Sequence, residues 1–316
     1  MAGSEPGESI ILRIVYFGTA DFAVPALRAV SDHVTLVVSQ PDRPKGRGLK
    51  MQLSPVKAAA LELGLRVETP EKSRSPEFRE ILEAENADIF LVAAYGQILS
   101  QAVLDIPRRG CINLHGSLLP KWRGAAPIQR AIEAGDTETG VTLMQMDRGM
   151  DTGDMIAIKR IAIGPDDTAG VVYDSLAHLA GEMALDWMPK IAVGNYERIP
   201  QDNSLATMAP KVDKSEAEIT SDLDLKSAYD RFRAFTPAPG AFVVSELGQI
   251  KLHRIRPVAG AVGELGCLTE SDGEIFVAIK GGGLRLEEFQ LEGRKRVLAA
   301  EFLNGARLSP GMRFLR

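Results

Sequence analysis

A chain of 316 residues has room for about two domains of ordinary size. Its 45% hydrophobic content is that of a soluble protein, no apolar run reaches the ~18 residues of a membrane span, and its two cysteines (Cys111, Cys267) are too few for a disulfide framework or a cysteine-based zinc site. The net charge of −5 gives no bulk sign of nucleic-acid binding. The polar, acidic residues 1–9 read as a loose tail rather than a secretory signal, and the scarcity of cysteine points to the cytoplasm.

Ile10 to Phe17 reads as a buried strand, followed by a helix from Phe22 to Val30 with Asp21 as its cap. Val34 to Ser39 is a second strand. The stretch from Arg43 to Leu61 contains no acid but holds Arg43, Lys45, Arg47, Lys50 and Lys57. Such a segment can dock a polyanion locally or be a solvated loop, and the residues alone leave both open. Ser54-Pro55 and Ser75-Pro76 each open a helix, the first stopped by Gly64. Strands follow at Asp88 to Ala94, Gly110 to Leu114, Val141 to Met146 and Met155 to Ile163, with helices at Ala125 to Ala134 and Ala169 to Val193. This alternation predicts an α/β, Rossmann-like, mostly parallel sheet with helices on both faces, over residues 10–193. Residues 194–212 read as an extended linker. From 213 to 316 a helix near Leu223 to Phe235 precedes short β segments: Ala241 to Ser245, Ile250 to Ile255, Gly263 to Leu268, Ile275 to Ile279 and Leu284 to Leu291. They predict a small OB-like β-barrel.

After the first strand, Gly18-Thr19-Ala20-Asp21 lacks the glycine pattern of a dinucleotide site, and no Walker lysine loop is present. Ligands of open α/β sheets bind beyond the carboxyl ends of the strands. Asn113 and His115 fall at such an end, and the loop Asp147 to Asp154 is expected to leave another. Moving an acyl group to an amine passes through a tetrahedral centre carrying an oxyanion. Asn113 can donate a hydrogen bond to it, and His115 can hold or deliver a proton. Asp151 can orient the ring and favour its charged form, or take the proton from the attacking nitrogen. Taken alone, each is as readily structural: a histidine at a strand end, an asparagine capping a turn, an aspartate between Gly149 and Gly153.

The run Cys111-Ile112-Asn113-Leu114-His115-Gly116-Ser117-Leu118-Leu119-Pro120, with Gly149-Met150-Asp151-Thr152-Gly153-Asp154, resembles the signature of the folate-dependent formyltransferases. Lys121 to Arg130, Thr139 to Asp147, Gln40 to Gly48 and Arg233 to Pro237 extend it to the branch that acts on tRNA, over nearly the whole chain from about Ile10. The resemblance implies 10-formyltetrahydrofolate as donor and the methionine α-amino group of initiator methionyl-tRNA as acceptor, with no metal. It implies Asn113, His115 and Asp151 as the catalytic set, and Ser117, Leu118, Leu119 and Pro120 as lining the folate site. Residues 94–99, including Tyr95, Gly96 and Ile98, would close around the pterin. The basic loop would reach the tRNA acceptor end through Arg43, Lys45, Arg47 and Lys50, with Arg47 at the family's key arginine and Leu49 where relatives often carry lysine.

In the carboxy-terminal part, Arg231, Arg233, Lys251, Arg254, Arg256, Arg294, Lys295 and Arg296 recur along the predicted strands, and Arg294, Lys295 and Arg296 are the candidates for nucleic-acid contact. Monomer is the simplest assembly. One rival is a sister formyltransferase acting on a small amine, which is expected to have little use for the basic loop or the barrel. A non-catalytic RNA binder is the other.

Overall fold

Serine–proline pairs and buried apolar runs account for most elements of the amino-terminal half. The computed structural model describes residues 12–45, 50–260, 263–303 and 311–315. In chain order these elements are β1 (Ile14–Gly18), α1 (Val24–Val30), β2 (Val34–Val38), β3 (Arg43–Lys45), β4 (Lys50–Gln52), α2 (Pro55–Glu62) and β5 (Val67–Glu68). They continue with α3 (Pro76–Ala84), β6 (Ile89–Ala93), α4 (Gln101–Leu104), β7 (Cys111–His115), β8 (Arg123–Gly124), α5 (Pro127–Glu133), β9 (Glu138–Gln145), β10 (Met155–Ala162) and α6 (Ala169–Ala192). Ser54 and Ser75 cap their helices as expected, accepting from Lys57 N (3.0 Å) and Phe78 N (3.3 Å), each with proline in the first turn. Asp21 does not cap: it opens a 3-10 turn, Asp21–Ala23, ahead of α1.

Seven strands form one sheet in the order β10-β9-β7-β6-β1-β2-β5. The five from β5 to β7 run parallel. Strands β1, β6 and β7 are buried along their whole length, as parallel strands covered on both faces must be. On one face Val15, Phe17, Leu36, Val38, Phe90 and Val92 pack with Phe78 and Leu82 of α3. On the other, Tyr16 lies against α1 and donates to Ala23 O at 2.5 Å. Strand β9 runs antiparallel to β7, pairing His115 with Thr142 and Ile112 with Gln145. Its carboxyl end therefore lies beside the start of β7, where Met146 N donates to Cys111 O (2.8 Å). The loop that follows leaves from that side, contrary to the sequence expectation, and must fold back along β7 to reach His115.

The basic stretch is not a plain loop. Its flanks β3 and β4 pair antiparallel, Arg43 with Gln52 and Lys45 with Lys50. Beyond α6 come β11 (Met208–Ala209), α7 (Leu225–Phe235), β12 (Phe242–Ser245), β13 (Gly248–Ala259), β14 (Leu268–Ser271), β15 (Glu274–Ile279), β16 (Gly282–Leu291), β17 (Val297–Leu298) and α8 (Ala299–Leu303). The order β12-β13-β16-β15-β14, with β17 on β16, makes a six-stranded antiparallel sheet around Val243, Ile250, Leu252, Val277, Leu286 and Phe289. The strand expected at Gly263 to Leu268 begins only at Leu268, because Cys267 N closes a turn onto Glu264 O (3.0 Å).

The chain divides into two compact units. One comprises Met1–Gly124, Gly140–Ile161 and Asp174–Met208, the other Ala125–Thr139, Ala162–Tyr173 and Ala209–Arg316. Among the described residues no helix is long and apolar enough to cross a membrane.

Candidate active site

The first unit brings Asn113, His115 and Asp151 together. Strand β7 delivers the first two on one face, two residues apart, and both are at least nine-tenths buried. His115 Nε2 lies 2.9 Å from Trp122 O, and its Nδ1 lies 3.6 Å from Asp151 Oδ2. A carbonyl has no proton to offer, so Nε2 carries a hydrogen. A neutral ring would then turn the Nδ1 lone pair toward a carboxylate, whereas the imidazolium presents N–H to both oxygens. Asp151 Oδ1 stands 3.4 Å from Asn113 Nδ2, a long contact, and Oδ2 accepts a well-formed bond from Gly124 N at 2.9 Å. One carboxylate thus touches the amide, the imidazole and the backbone.

The turn carrying Asp151 is tightly made. Asp147 Oδ1 accepts from Gly149 N (2.9 Å) and Thr152 Oγ1 (2.7 Å). Gly153 lies so close to β9 that a Cβ would stand 1.8 Å from Gln145 O, which explains the glycine there. Asp151 itself has φ 54°, a left-handed conformation that costs a non-glycine residue about 1–3 kcal/mol. Trp122, whose carbonyl meets His115, has φ 64°.

The segment Ser117 to Pro120 is held from within. Ser117 is fully buried, its Oγ donates to Lys121 O (2.7 Å), and its carbonyl accepts from Thr142 Oγ1 (2.7 Å). The same Thr142 hydroxyl accepts from Leu119 N (3.1 Å), and Leu119 packs with Met144 and Met155. Leu118 and Pro120 keep partial exposure. Tyr95 points into the core, its ring edge-on to Phe17 at 5.3 Å, and burial pushes its phenol up to about 12. What it offers is backbone, its carbonyl accepting from Thr19 Oγ1 (2.8 Å) and Gln40 Nε2 (2.9 Å). Gly96, at φ 82°, sits where a Cβ would stand 2.4 Å from that Gln40 nitrogen, and Ile98 is 87% exposed.

Arg43 is exposed at the start of the hairpin, and the backbones of Lys45 and Lys50 face each other across it. Arg47 lies outside the described residues. In the second unit Arg294 and Lys295 are exposed in the turn after β16, while Arg296 is bound to Glu288 at 2.5 Å. Four of the other cations are matched by acids: on the strands Arg254 with Glu287 (2.8 Å) and Arg256 with Asp166 (2.7 Å), and on the helix α7 Arg233 with Asp230 (2.5 Å) and Arg231 with Glu133 (3.7 Å). The expected basic face is therefore a mixed one.

Sequence reasoning missed the residues that support the trio. Gln201 donates to Asp151 O (2.8 Å) and Gly153 O (2.7 Å), and Arg123 donates to Gln201 Oε1 (2.7 Å). Both lie in stretches without periodicity, and Gln201 falls in the predicted linker. Thr142 could have been found as the one polar residue within the buried run Val141 to Met144.

Residues 12–187 match the family described as formyl transferase, and residues 211–307 its carboxy-terminal domain. A methionyl-tRNA formyltransferase of Aromatoleum aromaticum is 46% identical over 96% of this chain and 97% of its own. One from Geobacter metallireducens is 44% identical over 96% and 98%. Among solved structures, a sugar 3N-formyl transferase has a TM-score of 0.67 at 19% identity, covering 91% of this chain and all of its own. The N-formyltransferase of Helicobacter canadensis, in complex with folinic acid and dTDP-3-aminofucose, has a TM-score of 0.65 at 19% identity, covering 87% and 98%. At that identity the structures speak for the fold alone. Their coverage of this chain reaches into the carboxy-terminal region. By residues matched, identity and coverage, the chain belongs to the formyl transferase family, in its methionyl-tRNA formyltransferase branch.

Proposed function

We propose that this enzyme transfers the formyl group of 10-formyltetrahydrofolate to the α-amino group of methionyl-initiator tRNA, yielding formylmethionyl-tRNA for translation initiation. The observation that carries the reading is the identity of about 45% to methionyl-tRNA formyltransferases along nearly the whole chain. Residues 10–193 act as the catalytic domain and 213–316 as a tRNA-binding domain, joined through 194–212. The protein works in the cytoplasm as a monomer and without a metal.

An α-amino group titrates near ~7.7–8.0, so a useful fraction is already a nucleophile at neutrality. The site therefore needs no strong base. Its work is holding the amine against the formyl carbon and stabilising the charge that gathers on the formyl oxygen. Asn113 donates to that oxygen. His115 faces it as the imidazolium, with Asp151 supporting the positive charge. The proton lost by the attacking nitrogen is balanced by the one gained by the departing folate nitrogen. Leu118, Pro120 and Ile98 offer apolar surface to the folate, Ser117 and Leu119 shape the loop, and the backbone at Tyr95 and Gly96 supplies polar contacts. Arg43, Lys45, Arg47 and Lys50 bind the acceptor end, and Arg294, Lys295 and Arg296 bind phosphates further along.

Transfer of labelled formyl to initiator and to elongator methionyl-tRNA tests this, alongside Arg47→Ala. Initiator-selective transfer, weakened by the substitution, is expected. Transfer to dTDP-3-aminofucose but to no tRNA would move the enzyme to the sugar-acting branch.

A further inference from the structure

Two residues bracket the His115 ring, and both have left-handed backbone: Trp122 (φ 64°) at Nε2 and Asp151 (φ 54°) at Nδ1. Non-glycine residues stay there only where their surroundings over-determine them. A single stretch, Gln201 to Thr207, bonds to both. On the histidine side, Thr207 Oγ1 accepts from Trp122 N and Thr207 O from Arg123 N, each at 2.9 Å. On the carboxylate side, Gln201 Nε2 bridges Asp151 O (2.8 Å) and Gly153 O (2.7 Å).

We propose that Gln201 is a positioning residue for formyl transfer, its carboxamide clamping the Asp151 turn so that the carboxylate meets the imidazole; this rests on the formyl-transfer reading above. The orientation of the carboxamide is dictated by its neighbours. Arg123 is 6% exposed and donates Nε (3.1 Å) and Nη2 (2.7 Å) to Gln201 Oε1. A guanidinium has donors only, so the amide oxygen turns to it and the NH2 turns to the two carbonyls. A rotated carboxamide would oppose donors to donors and oxygen to oxygen. Arg123 Nη2 also donates to Asn203 Oδ1 (2.8 Å), which ties the clamp to the next turn of the same stretch. Gln201 is itself 9% exposed, and its partners on the Asp151 turn are backbone carbonyls, which no rotamer change can remove.

The decisive variant is Gln201→Glu. It is nearly isosteric and still accepts from Arg123, but when ionised it cannot donate to either carbonyl. Wild type, Gln201→Glu and Gln201→Ala are assayed at about pH 8, where a glutamate is charged, with 10-formyltetrahydrofolate and initiator methionyl-tRNA, and their melting temperatures are measured. For Gln201→Glu the expected result is a fall in kcat approaching about 10²-fold, the scale of a ~1 Å misplacement. KM for both substrates stays near the wild-type values and the melting temperature does not drop in proportion. Wild-type kcat, or a loss carried entirely in KM, overturns the proposal. Gln201→Ala also takes from Arg123 the acceptor it shares between Nε and Nη2, leaving it Asn203, and is expected to lose stability as well; if it does not fold, Gln201→Glu decides alone. If the wild type transfers no formyl, it is the reaction assignment that fails. A crystal structure of Gln201→Glu then tests the clamp by itself: Asp151 leaving the left-handed region supports it, and an unmoved Asp151 refutes it.

Discussion

Around His115 the polar groups are few, buried and bonded largely to backbone: the ring to Trp122 O, the carboxylate to Gly124 N, Ser117 to Lys121 O, Gln201 to two carbonyls. On the sheet of the second unit the charged groups are numerous, half-buried to exposed and bonded to one another, as in Arg254–Glu287, Arg285–Glu274 and Arg296–Glu288. The first pattern suits a reaction that depends on position. Backbone partners are rigid, and low local dielectric magnifies each interaction. The second suits exchange. An exposed ion pair contributes only about 0–1 kcal/mol, so an arginine can leave its acid for a phosphate at little cost.

The sharpest break in this contrast comes from His115→Ala. The expected loss is about 10²–10⁴-fold in kcat, the range of a positioned proton-bearing group, with tRNA binding by filter retention unchanged. Full activity in Asp151→Asn would sink the pairing of His115 with that carboxylate. Asn113→Ala comes next, at about 10²–10³-fold in kcat, the scale of one lost oxyanion donor.

In the second unit the effects are expected to fall on binding. Arg294→Ala with Lys295→Ala is expected to lower the slope of log tRNA affinity against log salt by about one per charge and leave saturated kcat intact. Arg296→Ala is expected to do less, because Glu288 already competes for that guanidinium. Equal effects of all three would mean that the ion pair opens freely.

The smallest effect concerns acid stability. Burial holds His253 below its usual value, with Arg296 and Lys251 adding to the depression and contacts to Gln290 and Glu288 opposing it. The folded chain thus binds that proton less readily than the unfolded chain does. The stability it contributes is complete above the unfolded value of about 6.5 and declines as pH falls through and below it. Replacing His253 by Gln should flatten the melting temperature between neutral and mildly acid pH, and an unchanged slope would exclude this ring as the cause.

Much of the fold was legible because its signals are local. Serine before proline needs only the next three residues to become a capped helix start, and both examples hold. The apolar runs of β1, β6 and β7 need only burial. Asp21 misled because the turn begins one residue early: Ala20 holds the N-cap position and Asp21 is already inside the 3-10 turn, so its carboxylate caps nothing there. The strand at Gly263 was misplaced because a turn through Cys267 outcompetes β propensity over a short stretch.

The candidate site divides in the same way. Asn113 and His115, two residues apart on a strand, could be put on one face by counting, and the motif around Asp151 marked its partner. That Asp151 reaches them was decided by the antiparallel turn of β9, which sends its loop off beside Cys111 and obliges it to fold back. Gln201 and Arg123 carried no signal at all, since a carboxamide in an irregular stretch acquires a role only when two carbonyls and a guanidinium arrive around it. Residue types and short spacings, which act through neighbouring bonds, were determined by the sequence alone. The clamp joins residues tens of positions apart and the surface charges pair between neighbouring strands, and such contacts form only once the folded chain has brought their partners together.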